Sequence, residues 1–259
     1  MSIGTAAPTE EELKSVKHHF IHHKSITSDY NVGAFERDVL NLLNDFFKTN
    51  NIIIMVGGSG LYLDAVTKGL DDFPEVDKSI RENLMHDLET KGLPYLQNQL
   101  KALDPKSYTT IAIDNPHRVI RALEICIGTG MPYSSFLNKG KEARNFETIS
   151  IGLTADRDII YNRINKRVDL MMAEGLLNEV KNLVSFHHLN ALNTVGYKEL
   201  FQYLNGEWDL DFAISEIKKN TRRFAKRQLT WFRKDDSILW FDYETNPNVI
   251  ISEIEGKIL

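Results

Sequence analysis

A chain of 259 residues, 42% hydrophobic and 26% charged, can bury a substantial core without covalent staples, as one large domain or two small ones. Its single cysteine, Cys126, excludes an intramolecular disulfide framework, and the largely apolar run Ala122 to Ile127 reads it as a small buried hydrophobe. The formal net charge of −5 weighs against polyanion partners, so nucleic-acid binding would have to come from a localised basic patch.

Met1 to Pro8 has no basic region followed by an apolar stretch, so no signal peptide is expected. Thr9 ahead of Glu10, Glu11 and Glu12 reads as a helix start with a capping box. Val32, Phe35, Val39, Leu42, Leu43 and Phe46 recur at helical spacing and predict an amphipathic helix over 32–48. The short β-branched run Ile52 to Val56 predicts a buried parallel strand. It is also the longest clean apolar run, far below membrane-spanning length, so a cytoplasmic chain with no membrane is expected. Gly57, Gly58, Ser59 and Gly60 follow, and Leu61 begins another helix.

Residues 69–146 read as helices without a strand. Ile80, Leu84 and Leu88 mark one; Leu93, Leu96, Leu100 and Leu103 mark another, closed by Asp104-Pro105; Pro116 stands at the first position of a third. The polar stretch Lys139 to Arg144 predicts the return from this helical insertion. Thr148 to Leu153 alternates as a strand. Helices are expected at 157–174, 176–186, from Gly196 to Leu204 and over 211–233. Ile238 to Phe241 predicts a last strand before a helical tail. The fold class is α/β, with the core at 1–68 and 147–259 and the helical insertion at 69–146.

Four segments carry chemistry. The loop Gly57 to Gly60, between a strand and a helix N-terminus, suits an anion or a polar base edge, or serves only as a tight turn. It is not a phosphate-binding loop of the Gly-x4-Gly-Lys-Ser/Thr kind. His117, Arg118 and Arg121 place cations in the first turns of a helix, where the dipole opposes them; an external anion or a solvated face accounts for them equally. Arg157, Arg163, Lys166 and Arg167 lie on one helix, open to phosphate oxygens or to local ion pairs. Lys218 to Lys234 holds eight basic residues, no acidic ones and three aromatics, with Ile217, Phe224 and Phe232 expected to face the core. Set in an acidic chain, this is a located patch that favours polyanion binding. His18, His19, His22 and His23 invite a metal reading, but no cysteine is near and a metal site is not expected.

Taken in order, these segments resemble the tRNA dimethylallyltransferase family. Ile3 to Pro8 is similar to the family's IGTAKP, Val56 to Tyr62 to VGGTGLY, and Asn115 to Glu124 to NDPQRIxRALE. Arg163 to Met171 resembles RIxxRVDxM, Thr194 to Glu199 resembles xxIGYKE, and Lys226 to Phe232 resembles KRQxTWFR. The resemblance implies a P-loop-kinase-like parallel sheet core with a helical insertion that clamps tRNA. It implies transfer of a dimethylallyl group from dimethylallyl diphosphate to N6 of adenosine 37, beside the anticodon, with Mg²⁺ on the diphosphate. It assigns Arg167 to the diphosphate as the catalytic cation and Gly57 and Gly58 to the substrate loop. It assigns tRNA contact to Ser59, Arg81, His117, Arg118, Val119, Ile120 and Arg121. The same role falls to Asn193, Thr194, Val195, Gly196, Tyr197, Lys198, Arg222, Arg223, Lys226 and Arg227. A monomer is expected.

The family opens with a strand and a P-loop, then an Asp-Ser-x-Gln segment whose Asp is the general base; neither occurs in these 259 residues. The expectation is therefore a polypeptide inactive on its own, with a non-catalytic tRNA-binding remnant as the alternative. A small-molecule kinase of the same fold would need the missing loop equally and would not need the basic patch. An adenylate-using isopentenyltransferase fits Asn115 to Arg121 and Thr194 to Lys198 less well.

Overall fold

The computed structural model describes residues 1–137 and 143–258. Lys139 to Glu142, the expected return stretch, lie outside the described residues, apart from its end at Ala143 and Arg144. By internal contacts the chain divides into two compact units, Met1–Leu63 with Phe146–Leu259, and Asp64–Asn145.

In the first unit, α1 (Glu10–Ser15) begins at the expected capping box: Thr9 Oγ1 accepts from Glu12 N at 3.3 Å, and Thr9 N donates to Glu12 Oε2 at 2.8 Å. Asn31 caps α2 (Val32–Phe46), which turns Val39 and Leu43 inward. Helix α3 (Gly60–Lys68) runs on into the second unit. The second unit is helical: α4 (Lys78–Lys91), α5 (Leu93–Leu103), α6 (Pro105–Thr110) and α7 (Pro116–Thr129). The chain then returns to the first unit as β1 (Ile151–Thr154), α8 (Arg157–Ala173), α9 (Leu176–Lys181), α10 (Tyr197–Leu204), α11 (Leu210–Phe232), β2 (Leu239–Asp242) and α12 (Pro247–Ile258). Among the described residues no helix is long and apolar enough to cross a membrane.

The core of the first unit lies among α8, α9, α10 and α11, where Val168, Met171, Leu176, Val180, Leu192, Tyr197, Leu200, Phe201, Ala213 and Ile217 pack together. At roughly 1.5–3 kcal/mol for each fully buried large side chain, this cluster is a principal source of the unit's cohesion. β1 pairs with β2 in parallel, Ile151 opposite Leu239 and Thr154 opposite Asp242.

Two expectations are corrected. Ile52 to Val56 forms no strand. Ile54 is 82% and Val56 89% exposed. β-Branched residues favour an extended backbone, but a strand exists only where a neighbour takes its N–H and C=O groups, and among the described residues the ladder joins β1 and β2 alone. Phe224 does not face the core; it is 40% exposed, with the Arg227 guanidinium 5.5 Å over its ring. The pair Asp104-Pro105 closes α5 as expected and also begins α6, because proline's fixed φ suits the first position of that helix.

The second unit packs α4, α5 and α7 through Leu84, Leu96, Leu100, Val119, Ile120, Ala122, Leu123 and Cys126. Arg144 donates to the Val66 and Ala65 carbonyls at 2.8 and 2.7 Å, satisfying groups near the end of α3. Asp104 is 1% exposed and accepts four hydrogen bonds, from Ser107 N at 3.0 Å, Ser107 Oγ at 2.6 Å, Ser134 N at 2.7 Å and Ser134 Oγ at 3.0 Å. Burial pushes its carboxyl up, but the bonds from Ser107 and Ser134 outweigh burial and hold it below the ordinary value of 3.8. A depressed carboxylate contributes stability that is present above the ordinary value and lost as pH falls through the folded value. Asp104→Ala, which leaves those donors unmet, is expected to cost about 2–4 kcal/mol. Amide exchange checks it: protection should fall across α5 to α7, and equal protection there would contradict the assignment.

Candidate functional site

The glycine loop is where sequence, packing and chemistry meet in the first unit. Gly57 to Ser59 run into the N-terminus of α3, and the Ser59 carbonyl accepts from Tyr62 N and Leu63 N at 2.9 and 3.1 Å. A groove of about 220 Å³ opens here, lined by Phe35, Met55, Val56, Gly57, Gly58, Ser59, Tyr62 and Leu63. The Phe35 and Tyr62 rings meet edge to face at 5.1 Å.

The C-terminal half of α11 forms the loop's other boundary. Gln228 Nε2 donates to the Gly58 carbonyl at 2.9 Å, and a side chain at Gly58 would meet that amide. A Cβ at Gly60 would lie 2.4 Å from the Trp231 indole. The glycines therefore allow a helix 170 residues away in sequence to close on the loop. Neither Gln228 nor Trp231 was singled out from the sequence; only their place within the Lys226 to Phe232 motif pointed to them.

The basic residues of α11 divide by what they touch. Lys218 pairs with Asp169 at 2.6 Å, and Lys219 pairs with Glu216. Arg222 donates to Asn165 Oδ1 at 2.7 Å and lies 5.8 Å over the Tyr161 ring, so it holds α11 to α8. Arg223 donates to Asn220 Oδ1 at 3.3 Å from an exposed position. Lys226, Arg227, Arg233 and Lys234 are exposed. On α8, Arg167 is exposed one residue before the core residue Val168, and Arg163 stacks on Tyr243 at 5.1 Å.

The segment Asn193 to Lys198 presents Asn193, Thr194 and Lys198 outward, with Val195 half-buried. Gly196 has φ +100°, and its N–H donates to Glu199 at 2.7 Å. Glu199 is 1% exposed and also accepts from Asn220 Nδ2 at 2.8 Å, tying this segment to α11. Tyr197 is fully buried, so the outward contact expected of its side chain is corrected: its hydroxyl donates to Glu179. Burial and that hydrogen bond push the Tyr197 phenol up. Burial likewise pushes Glu179 up, but bonds from Tyr197 and from the N–H groups of Ser2, Gly4 and Ile3 outweigh it and hold the carboxyl below its ordinary value. Glu179 carried no signal in the sequence beyond its place in an amphipathic helix.

In the second unit His117 and Arg118 are exposed at the start of α7, whose N–H groups at these two positions are capped by Asn115 Oδ1. Arg81 and Arg121 each lie 3.2 Å from Glu124 Oε2, and Arg121 sits 5.2 Å over the Phe73 ring. Val119 and Ile120 are core residues, 0% and 2% exposed, so their side chains cannot make the RNA contact that the resemblance implied. Helical period explains this: the two positions following His117 and Arg118 fall on the inner face of α7.

The groove residues do not fit a protein-held Mg²⁺: their side chains offer the hydroxyls of Ser59 and Tyr62 and no carboxylate, whereas the ion prefers carboxylates and phosphates. Among the described residues no three His, Cys, Asp or Glu gather as ligands. His22 instead bonds through Nε2 to the Met1 carbonyl at 2.9 Å.

The glycine-loop groove is thus bordered by a basic helix, and α8 of the same unit carries further exposed cations. The model of the IPP transferase family matches residues 1–235, and the chain belongs to that family. It is 58% identical over 258 residues to a tRNA dimethylallyltransferase of Christiangramia forsetii, covering 100% of this chain and 85% of that protein. It is 54% identical over 260 residues to one of Flavobacterium johnsoniae, covering 98% and 84%. The fold matches the full-length tRNA isopentenylpyrophosphate transferase of Bacillus halodurans, at 36% identity and TM-score 0.69, covering 100% of this chain and 82% of that one. It also matches a eukaryotic dimethylallyltransferase acting on tRNA, at 25% identity and TM-score 0.79, covering 99% and 69%.

The close approach of α11 to the loop has a measurable consequence. Gly60→Ala forces the rigid indole of Trp231 away and is expected to cost about 1–3 kcal/mol, whereas Gly58→Ala meets the flexible end of Gln228 and costs less. Thermal melts of the two variants give the order; Gly60→Ala as stable as the parent would show that α11 does not close on the loop.

Proposed function

We propose that this chain serves transfer of a dimethylallyl group from dimethylallyl diphosphate to N6 of adenosine 37 in tRNA, releasing diphosphate. A bond forms between N6 and the allylic carbon, the bond from that carbon to the diphosphate oxygen breaks, and N6 gives up a proton. The target base has to leave the stack to reach a pocket. The observation that carries this reading is the exposed basic half of α11 beside the glycine-loop groove. The family membership and the tRNA-modifying relatives support it.

In this reading the exposed cations Arg223, Lys226 and Arg227 meet tRNA phosphates by counterion release. Ser59 and the N–H groups of Gly57 and Gly58 face the base, and Asn193, Thr194 and Lys198 extend the same surface. Arg167 offers a guanidinium fork to the departing diphosphate, whose charge grows as the bond breaks. Residues 1–68 and 147–259 serve as the P-loop-kinase-like transferase core. Residues 69–146 serve as a clamp on the tRNA through Arg81, His117, Arg118 and Arg121. The 259 residues contain no Gly-x4-Gly-Lys-Ser/Thr segment, so within them the cations named here are what the reading offers the diphosphate.

The experiment is tRNA binding by the purified chain over a range of salt, with and without dimethylallyl diphosphate and Mg²⁺. Lys226→Ala with Arg227→Ala is expected to weaken binding and to reduce the log–log salt slope by roughly 0.7–0.9 for each phosphate no longer neutralised. An unchanged affinity would remove the tRNA reading.

A further inference from the structure

One carboxylate in the first unit has more donors than a helix residue needs. Glu179, on α9, accepts from three consecutive backbone N–H groups: Ser2 at 2.7 Å, Ile3 at 3.1 Å and Gly4 at 3.1 Å. It also takes the hydroxyl of Tyr197. The chain at 2–7 turns tightly here: Ala6 N donates to the Ile3 carbonyl at 3.2 Å, and Ala7 N to the Ser2 carbonyl at 3.0 Å. Ala6 sits at φ +54°, in the left-handed region, which costs an alanine free energy. A strained residue persists only where its surroundings over-determine it, and such positions gather at functional sites. The over-determining group here is the Glu179 carboxylate, which fixes three N–H groups immediately ahead of the strained residue. Thr5 and Ala6 at the tip of this turn are exposed, as are Asn193, Thr194 and Lys198 around the buried Tyr197.

We propose that Glu179 is a positioning residue for tRNA binding: its carboxylate locks the strained turn at 2–7 to the segment 193–198, so that the two exposed segments meet the RNA as one pre-formed surface. The inference rests on the tRNA-binding reading above. Glu179 itself touches no phosphate, since an anion beside a polyanion would repel it, and it acts through the backbone of Ser2 to Gly4 and through Tyr197. Holding both segments in place before binding removes the ordering cost that the complex would otherwise bear.

The test is the affinity of the 259-residue chain for a tRNA anticodon stem-loop across a salt series. Glu179→Gln keeps the size of the side chain but points an amide donor toward N–H groups and removes the charge. It is expected to weaken binding about tenfold while leaving the salt slope unchanged, because every cation that neutralises a phosphate is still present. Ala6→Gly, which relieves the strain that Glu179 restrains, is expected to restore part of the affinity in the Glu179→Gln background. A role in general stability alone predicts no such rescue. Should Glu179→Gln melt below the assay temperature, Tyr197→Phe carries the test, with a smaller drop in affinity at unchanged slope. Affinity equal to the parent in the folded variant, a reduced slope, or no rescue by Ala6→Gly overturns the proposal. If instead Lys226→Ala with Arg227→Ala leaves binding intact, it is the tRNA reading that fails, whatever Glu179→Gln does.

Discussion

Helix α11 is longer than the core it packs on, and much of the first unit's functional surface follows from that mismatch. Ala213 and Ile217 are buried among α8, α9 and α10. Past Ile217 no residue of the helix is fully buried, and polar contacts join the Trp231 packing in holding its remaining turns: Asn220 to Glu199, Arg222 to Asn165 and Gln228 to the Gly58 carbonyl. A helix anchored at one end by burial and along its length by hydrogen bonds can keep its outer face charged without destabilising a core. That is how a chain of net charge −5 can display a basic strip.

The same helix shows why counting basic residues overstates a patch. Lys218 and Lys219 are engaged by Asp169 and Glu216, and Arg222 by Asn165 and Tyr161. The contacts of Lys218 and Arg222 fix α11 on α8, while Lys219 pairs within α11 itself. Ion pairs near the surface contribute little to stability, so what Lys218 contributes is mainly orientation. The charges that remain exposed, Arg223, Lys226, Arg227, Arg233 and Lys234, run from the middle of the helix to beyond its contact with the glycine loop. The exposed part of the patch thus begins where the local acidic partners stop.

Features with a local cause were legible in the sequence. The Thr9 and Glu12 box, the Pro116 start of α7 and the leucines Leu84, Leu96 and Leu100 of α4 and α5 are written in local spacing, and the structure places them as read. Features that depend on distant partners were not. Ile52 to Val56 has a strand's composition, yet strand formation is decided by a neighbour, which composition cannot supply. Val119, Ile120 and Tyr197 stand inside motifs that resemble RNA-contacting segments, but a motif mixes residues that touch a ligand with residues that hold those in place. Burial separates the two kinds, and it depends on the whole fold.

The glycine loop shows how the two readings of one motif combine. As a turn it needs no explanation beyond backbone freedom; as a ligand site it needs N–H groups that point outward. The position of α11 bears on both. Gly58 and Gly60 lack side chains, and the space is taken by Gln228 and Trp231. With its carbonyl engaged by Gln228, Gly58 cannot swing freely, so the loop is held rather than loose. A held loop at the start of a helix keeps its donors in fixed directions, which an incoming anion or base edge requires, since a flexible loop would have to be ordered first. The packing reading therefore supplies the rigidity on which the binding reading depends, and the contact that links them is made by the helix that carries the cations.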